Sequence, residues 1–226
     1  MNKKETMELL VEDGVIIANT HVVLKSKDHS NFYFDKDMAS SRSFHLFQLA
    51  EILAQQIVQK VNNGVDVVAS PAYGAISLGA LVAYWLERFL DKPILFVAAE
   101  KAESSAFRIR PRLAVKLSGK RVVVVEDVTT TGGSTKRAMD EVVNHGGIVV
   151  CLAVLCNRGN VDAEFFGVPW LFSVFSKEDL EIFSPQRWAA SECPLCRGGT
   201  AINTEVGHGK EFLASENNLT NNKNQG

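Results

Sequence analysis

The chain has 226 residues, of which 46% are hydrophobic and 22% charged, and its formal net charge is -2. This balance is ordinary for an α/β domain with a sizeable core, and the lack of a basic excess argues against nucleic acid as a partner. Neither an apolar run of about 18 residues nor an apolar signal-peptide core occurs, so we expect a cytoplasmic protein with no membrane partner.

The hydrophobic pattern predicts strands and helices that alternate along most of the chain. Residues 3–12 fit a short helix, and 20–25 and 31–35 fit two short strands around a polar turn. A long helix begins at Ser43. Later elements follow in order: strand 65–70, helix 76–90, strands 93–98 and 121–126, helix 134–145, and strands 148–155 and 168–175. Valine-rich strands that alternate with helices indicate an α/β fold with a parallel sheet covered on both faces.

The best-defined strand end is Val122–Ser134 (VVVVEDVTTTGGS). A buried strand delivers Glu126 and Asp127 to its tip, three threonines supply hydroxyl groups, and two glycines allow a ligand to approach the backbone. A helix begins at about Ser134, so its free N–H groups point at the loop. The residues therefore predict a phosphate cradle with two carboxylates, and they match neither the P-loop nor the dinucleotide fingerprint. A strand–turn–helix with acidic capping residues is the plainer alternative.

This segment resembles the phosphoribosyl-pyrophosphate (PRPP) signature of type I phosphoribosyltransferases at all 13 positions. The resemblance implies an α/β fold with a central, mostly parallel sheet flanked by helices and a small hood lobe. It implies one domain over 1–213, with a hood from about 1–40 and part of 176–213 and a core over 43–175. The polar tail 214–226 is expected to be disordered.

The resemblance also implies roles for single residues. Glu126 and Asp127 would contact the ribose hydroxyls as catalytic groups, and Mg²⁺ would be held mainly by substrate oxygens, with no certain protein ligand. The expected 5′-phosphate loop consists of Thr129, Thr130, Thr131, Gly132, Gly133 and Ser134.

Two further segments fit the same family. The turn Ser70, Pro71, Ala72 and Tyr73 resembles its pyrophosphate loop, although an ordinary strand-to-helix turn would look similar. The polar stretch 99–116 would be a mobile loop whose Lys101, Arg108 and Arg110 meet the pyrophosphate, with Lys101 catalytic; a solvated loop is the alternative. Because such loops often reach the partner subunit, the resemblance implies a homodimer.

The N-terminal segment resembles orotate phosphoribosyltransferases, which implies PRPP and orotate as substrates. Lys25, Phe32 and Phe34 would bind the base, together with Arg158. Lys27 stands where most of these enzymes have glycine, and 99–116 lacks their usual histidine; Cys193–Cys196 and the 99–109 segment look like a less common branch. An exposed hairpin, a solvated Arg158, a purine or other base, and a PRPP-sensing regulator remain the alternatives.

The four cysteines are expected to be reduced thiols. Cys151 and Cys156 lie on a predicted strand and look like core residues. Cys193 and Cys196 form one Cys-x-x-Cys pair, whereas a zinc site usually needs four ligands. With His208 as the candidate third ligand, the sequence favours a plain turn of thiols over zinc.

Overall fold

The computed structural model describes residues 3–61, 64–102 and 106–215. The chain forms two compact units. We call Ser40–Asp179 the core unit, and we call Met1–Ala39 together with Leu180–Gly226 the small unit. None of the described helices combines the length and apolarity that a bilayer crossing requires.

The core unit contains a six-stranded sheet in the order β5-β4-β3-β6-β7-β8. Its strands are β3 Val67–Pro71, β4 Leu95–Lys101, β5 Phe107–Ile109, β6 Arg121–Thr129, β7 Ile148–Asn157 and β8 Leu171–Ser176. All neighbouring strands are parallel except β4 and β5. The helices are α3 Ser43–Val61, α4 Ile76–Leu90, α5 Pro111–Ala114, α6 Gly133–Asn144 and α7 Ala163–Phe166. In the sequence, α2 Lys36–Ser41 and α8 Lys177–Leu180 each include residues of both units.

Both faces of this sheet are buried, which explains the run of four valines in β6. Val122 and Val124 pack with Ala138 and Met139 of α6 on one face. Val123 and Val125 are equally buried, so they point to the opposite face, where α3 and α4 contact the strands. Continuous apolar strands of this kind are typical of parallel sheets with helices on both sides.

The small unit contains a three-stranded antiparallel sheet in the order β1-β2-β9. Helix α1 Lys3–Glu12 precedes β1 Ile16–Val23 and β2 His29–Phe34, and β9 Arg187–Trp188 pairs with β2; α9 Pro194–Arg197 and a helix over 209–215 follow. The third strand comes from a distant part of the chain, since Ser30 of the central strand β2 pairs with Arg187 of β9.

The structure confirms the predicted helices 3–12 and 76–90, and it confirms the other predicted elements with shifted ends. One expectation needs correction: the stretch 99–116 is not simply an irregular loop. β4 continues to Lys101, β5 returns beside it, and Phe107 and Ile109 are buried in the core. Residues 103–105 of this stretch, and 216–226 of the expected tail, lie outside the described residues.

Candidate active site

The candidate site lies at the carboxyl edge of the core sheet, where β3, β6 and β7 end side by side. The three strands are parallel neighbours, with Ala69 opposite Val124 and Thr129 opposite Asn157. Open parallel sheets bind ligands at this edge, because the loops that follow each strand project there together.

Glu126 and Asp127 sit at this edge and are nearly buried, with exposures of 7% and 8%. Glu126 Oε1 accepts from the Asp127 backbone N–H at 3.1 Å, and Glu126 Oε2 accepts from Thr135 Oγ1 at 3.3 Å. Asp127 Oδ1 accepts from the Val128 N–H at 2.6 Å. Burial, and secondly the charge of Asp127, raise the pKa of Glu126 well above its ordinary value. Glu126 therefore keeps its proton to a higher pH than an ordinary glutamate.

The loop between β6 and α6 leaves the start of α6 open. Gly132 caps the helix in the left-handed conformation (φ 76°), with no side chain bonded to the first-turn N–H groups. A side chain at Gly132 would also collide with Phe165, whose Cε1 lies 2.6 Å from an ideal Cβ. Thr130, Thr131 and Ser134 are exposed around this helix end. Free N–H groups and exposed hydroxyls at a helix N-terminus form an anion-binding site.

The turn after β3, like the loop between β6 and α6, leads into a helix with no capping side chain. The Ala72 N–H donates to Ala99 O at 2.8 Å, which fixes the turn against β4, and the Ala72–Tyr73 peptide is cis. Ser70, Pro71 and Ala72 are buried, whereas Tyr73 is 76% exposed. Helix α4 starts after Ala75 with no capping side chain. The sheet edge thus carries two uncapped helix ends, which follow adjacent strands.

The loop that carries Arg158 directly contacts the predicted phosphate loop Thr129–Ser134, which we also call the threonine loop. The N–H groups of Arg158 and Gly159 both donate to Thr129 O, at 3.0 and 3.2 Å. The Asn157 amide shapes the loop, because it donates to Val161 O at 2.8 Å and accepts from the Val161 N–H at 3.1 Å. Arg158 is half-buried at this position. The structure therefore brings Arg158 beside the predicted phosphate loop.

The three predicted cations of 99–116 occupy different surroundings. Lys101 is exposed at the end of β4, at the edge where Pro71 pairs with Ala99. Arg110 is held by Glu100, with Nε donating to Oε1 at 2.6 Å. Arg108 lines a cleft of about 510 Å³ with Glu141. Glu141 is about 12 Å along α6 from Gly133, so the described contacts place Arg108 away from the phosphate loop.

The predicted base-binding residues of the small unit separate into two groups. Lys25 is exposed and lines a cleft of about 410 Å³ with Leu24 and Phe212. Phe32 and Phe34 are only 2% and 5% exposed. The expectation that these two rings stack on a base is corrected, because the alternation of β2 turns both into the core.

Sequence reasoning missed Thr135 and Asn157, two buried polar residues of this edge. Thr135 lies on the same helix face as Ala138, Met139 and Val142. A threonine in that otherwise apolar stripe is the signal that could have revealed it, since a buried hydroxyl needs a partner.

The family model of the phosphoribosyl transferase domain matches residues 44–164. An orotate phosphoribosyltransferase of Carboxydothermus hydrogenoformans is 36% identical over 200 residues, which cover 86% of this chain and 93% of the relative. One from Thermotoga maritima is 32% identical over 195 residues, covering 85% and 92%. The crystal structure of the Mycobacterium tuberculosis H37Rv enzyme in complex with PRPP has the same fold, with a TM-score of 0.60 at 24% identity over 79% of this chain and 98% of that one.

A parallel sheet with an acidic pair and a glycine-rich phosphate loop at its carboxyl edge defines the class of phosphoribosyltransferases. With these relatives, the chain belongs to that family, in its orotate phosphoribosyltransferase branch. The fold and the family expected from the sequence are thereby confirmed.

Proposed function

We propose that this chain transfers the phosphoribosyl group of PRPP to orotate, which yields orotidine 5′-monophosphate and pyrophosphate in pyrimidine biosynthesis. The observation that carries the proposal is the buried Glu126–Asp127 pair beside the uncapped start of α6. The matches to the two relatives named above cover 92% and 93% of those proteins, and their names support orotate as the acceptor.

In this proposal the carboxyl pair faces the ribose. The bond between the sugar and pyrophosphate breaks, and a bond from a ring nitrogen of orotate to the sugar forms while that nitrogen loses its proton to the departing pyrophosphate. Positive charge develops on the sugar between these events. Asp127 would stabilise that charge, because a preorganised carboxylate in a buried site interacts strongly with a cation. Glu126 would also hydrogen-bond to the ribose hydroxyls. Because its pKa is raised, it would keep its proton to a higher pH than an ordinary glutamate.

The two open helix ends divide the anionic groups of PRPP between them. The loop over Thr129–Ser134 would hold the 5′-phosphate, and the Ser70–Tyr73 turn would hold the pyrophosphate. Lys101 and Arg110, two exposed cations of the β4–β5 hairpin, are proposed for the departing pyrophosphate. Arg108 would need to leave its cleft to join them.

The site also fits Mg²⁺, although the protein supplies few donors for it. The carboxylates of Glu126 and Asp127 are hard oxygen donors of the kind that Mg²⁺ prefers, but they fall short of its six ligands. We therefore propose that oxygens of the substrate complete the shell. When bound, the ion would neutralise charge on the leaving pyrophosphate.

A cation of the core unit is proposed for the carboxylate of orotate. Arg158 is fixed beside the threonine loop by its own backbone and offers a planar, bidentate donor. Lys25, in the small unit, stays a separate prediction for base binding; it offers a point charge in a cleft of that unit.

A homodimer and a cytoplasmic location belong to the same proposal. Support for the dimer comes from an aromatic surface on α3 and α4, where Phe44, Tyr84 and Phe89 are 68%, 46% and 38% exposed. Exposed aromatic side chains on two packed helices are candidates for such an interface. Sedimentation of the protein and of a Phe44→Glu variant would test this part.

The central experiment follows the loss of orotate absorbance with PRPP and Mg²⁺. Asp127→Asn should lower kcat by at least about 100-fold, because it removes the charge that opposes the developing cation. Asp140→Asn is the matched control, since Asp140 is an exposed residue of α6 outside the site. Near-normal turnover of Asp127→Asn, or transfer to adenine in place of orotate, would contradict the proposal.

A further inference from the structure

We propose that the small unit binds one zinc ion through His21, His29, Cys193 and Cys196. The ligand atoms of these four residues all lie within 4.8 Å of one another. They come from β1, from β2 and from the turn around α9, so three separate segments converge on one point. Nothing in the proposed transfer reaction uses them.

Three nitrogen–sulfur distances between the ligand atoms are close to those of a tetrahedral zinc shell. With zinc–sulfur bonds of about 2.3 Å and zinc–nitrogen bonds of about 2.0 Å, tetrahedral angles require nitrogen–sulfur separations of roughly 3.5 Å. His21 Nε2 lies 3.6 Å from both sulfur atoms, and His29 Nδ1 lies 3.3 Å from Cys196 Sγ. The two nitrogen atoms are 2.9 Å apart, somewhat closer than the roughly 3.3 Å of a filled shell.

A backbone carbonyl orients the His21 ring as a metal site requires. His21 Nδ1 lies 2.7 Å from Thr200 O, so an N–H there leaves Nε2 with its lone pair toward the cluster. His29 packs edge-on against Phe212, with ring centroids 5.0 Å apart. The turn that supplies both cysteines also supplies Thr200, whose N–H donates to Leu195 O at 2.9 Å.

Burial and charge favour zinc over a metal-free cluster. His29 and Cys193 are fully buried, and His21 is 2% exposed. A dication with two thiolates and two neutral imidazoles has no net charge, so the site can be buried without an uncompensated ion. Two nitrogen and two sulfur ligands in a tetrahedron are typical of structural zinc, whereas Mg²⁺ requires oxygen ligands.

A zinc ion at this site would stabilise the turn that carries Lys25. His21 and His29 flank the turn that carries Lys25, and the cysteines lie more than 160 positions later in the chain, at the far end of the small unit. A single ion would therefore fix both ends of the Lys25 turn and fasten them to the 193–200 turn. Under this proposal zinc takes the place of the plain thiol turn expected from the sequence. His208, the candidate third zinc ligand in the sequence analysis, is not among the four clustered residues.

The test uses the untagged, full-length protein purified without added metal. Elemental analysis by mass spectrometry should find roughly one zinc per chain, and cobalt exchange should produce the visible bands of tetrahedral Co²⁺ with thiolate ligands. Cys196→Ser, chosen because Cys196 is the exposed ligand, should lose most of the zinc. His208→Gln, in the same unit, should keep it.

Three results would overturn the assignment. One is a wild-type protein that contains less than about a tenth of a zinc per chain and gives no tetrahedral cobalt spectrum. Another is a Cys196→Ser variant with unchanged zinc. The third is a different ion in stoichiometric amount. The cobalt spectrum of the wild-type protein needs no variant, so the test holds even if a ligand substitution prevents folding, and it is independent of transferase activity.

Discussion

Replacing Gly159 by alanine would test the contact between the Arg158 loop and the threonine loop. An ideal Cβ at Gly159 lies 1.5 Å from Thr130 O and 2.4 Å from the Thr130 carbonyl carbon. Both are backbone atoms, and real Cβ contacts stay beyond 3.0 Å. One of the two loops must therefore retreat by about 1.5 Å, an overpacking that should cost ~1–3 kcal/mol of stability.

A shift of this size should also impair catalysis. Misplacement by about 1 Å can cost roughly 100-fold in rate, which corresponds to ~2.7 kcal/mol of transition-state stabilisation. The assay is kcat/KM from the loss of orotate absorbance, combined with calorimetric binding of PRPP. Weakened PRPP binding would identify the threonine loop as the one that moves, and a raised KM for orotate would identify the Arg158 loop.

The neighbouring substitution Asn160→Gly is the control for Gly159→Ala. Asn160 is exposed in the same loop and has a positive φ of 51°, so glycine fits there without a collision. We expect wild-type rates from it. A Gly159→Ala protein with unchanged kcat/KM and melting temperature would refute the packing of the two loops described above.

Three further predictions concern charge and backbone strain. Because burial raises the pKa of Glu126, stability should fall as pH rises from the unfolded pKa of about 4.3 through the folded value. Glu126→Gln should remove this fall, so it should melt above the wild type at about pH 8 but not at about pH 4; a wild type that melts higher at both pH values would contradict this. Lys27 has a φ of 69°, which glycine adopts more easily than lysine. Lys27→Gly should therefore be neutral or raise the free energy of unfolding in urea by up to ~1 kcal/mol. A Lys27→Val variant as stable as the wild type would show that the conformation is unstrained. Arg158→Ala should raise the KM for orotate by about 10-fold or more, from the loss of ~1.5–3 kcal/mol of charge-assisted hydrogen bonding, while an unchanged KM would remove Arg158 from the base site.

The elements that the sequence predicted best have a strong local pattern. Helix α4 begins and ends where predicted, because its apolar residues recur at helical spacing between a turn and the left-handed Asp91. The strand β6 and its loop were equally clear, since four valines and two acids are consecutive and two glycines follow after residues 128–131.

The misses occurred where tertiary pairing overrides local composition. β5 has only three residues, and its two apolar side chains stand among arginines, so the strand exists because β4 offers it an edge. Phe32 and Phe34 looked suited to a flat ring, but the register of β2 decides which face they occupy. His21 and His29 share no local motif with Cys193 and Cys196, and only folding brings them together.

The small unit is built from two segments that are far apart in the sequence, so it can complete its fold on the ribosome only late in synthesis. Asp28, in the turn before β2, pairs with Arg187, which emerges 159 residues later. At about 5–20 residues per second, the β1–β2 hairpin must wait roughly 10–30 s for its third strand, whereas the core unit is already complete in the nascent chain. An antiparallel pair alone is marginally stable in water, so the hairpin is the part most exposed to chaperones and proteases during synthesis.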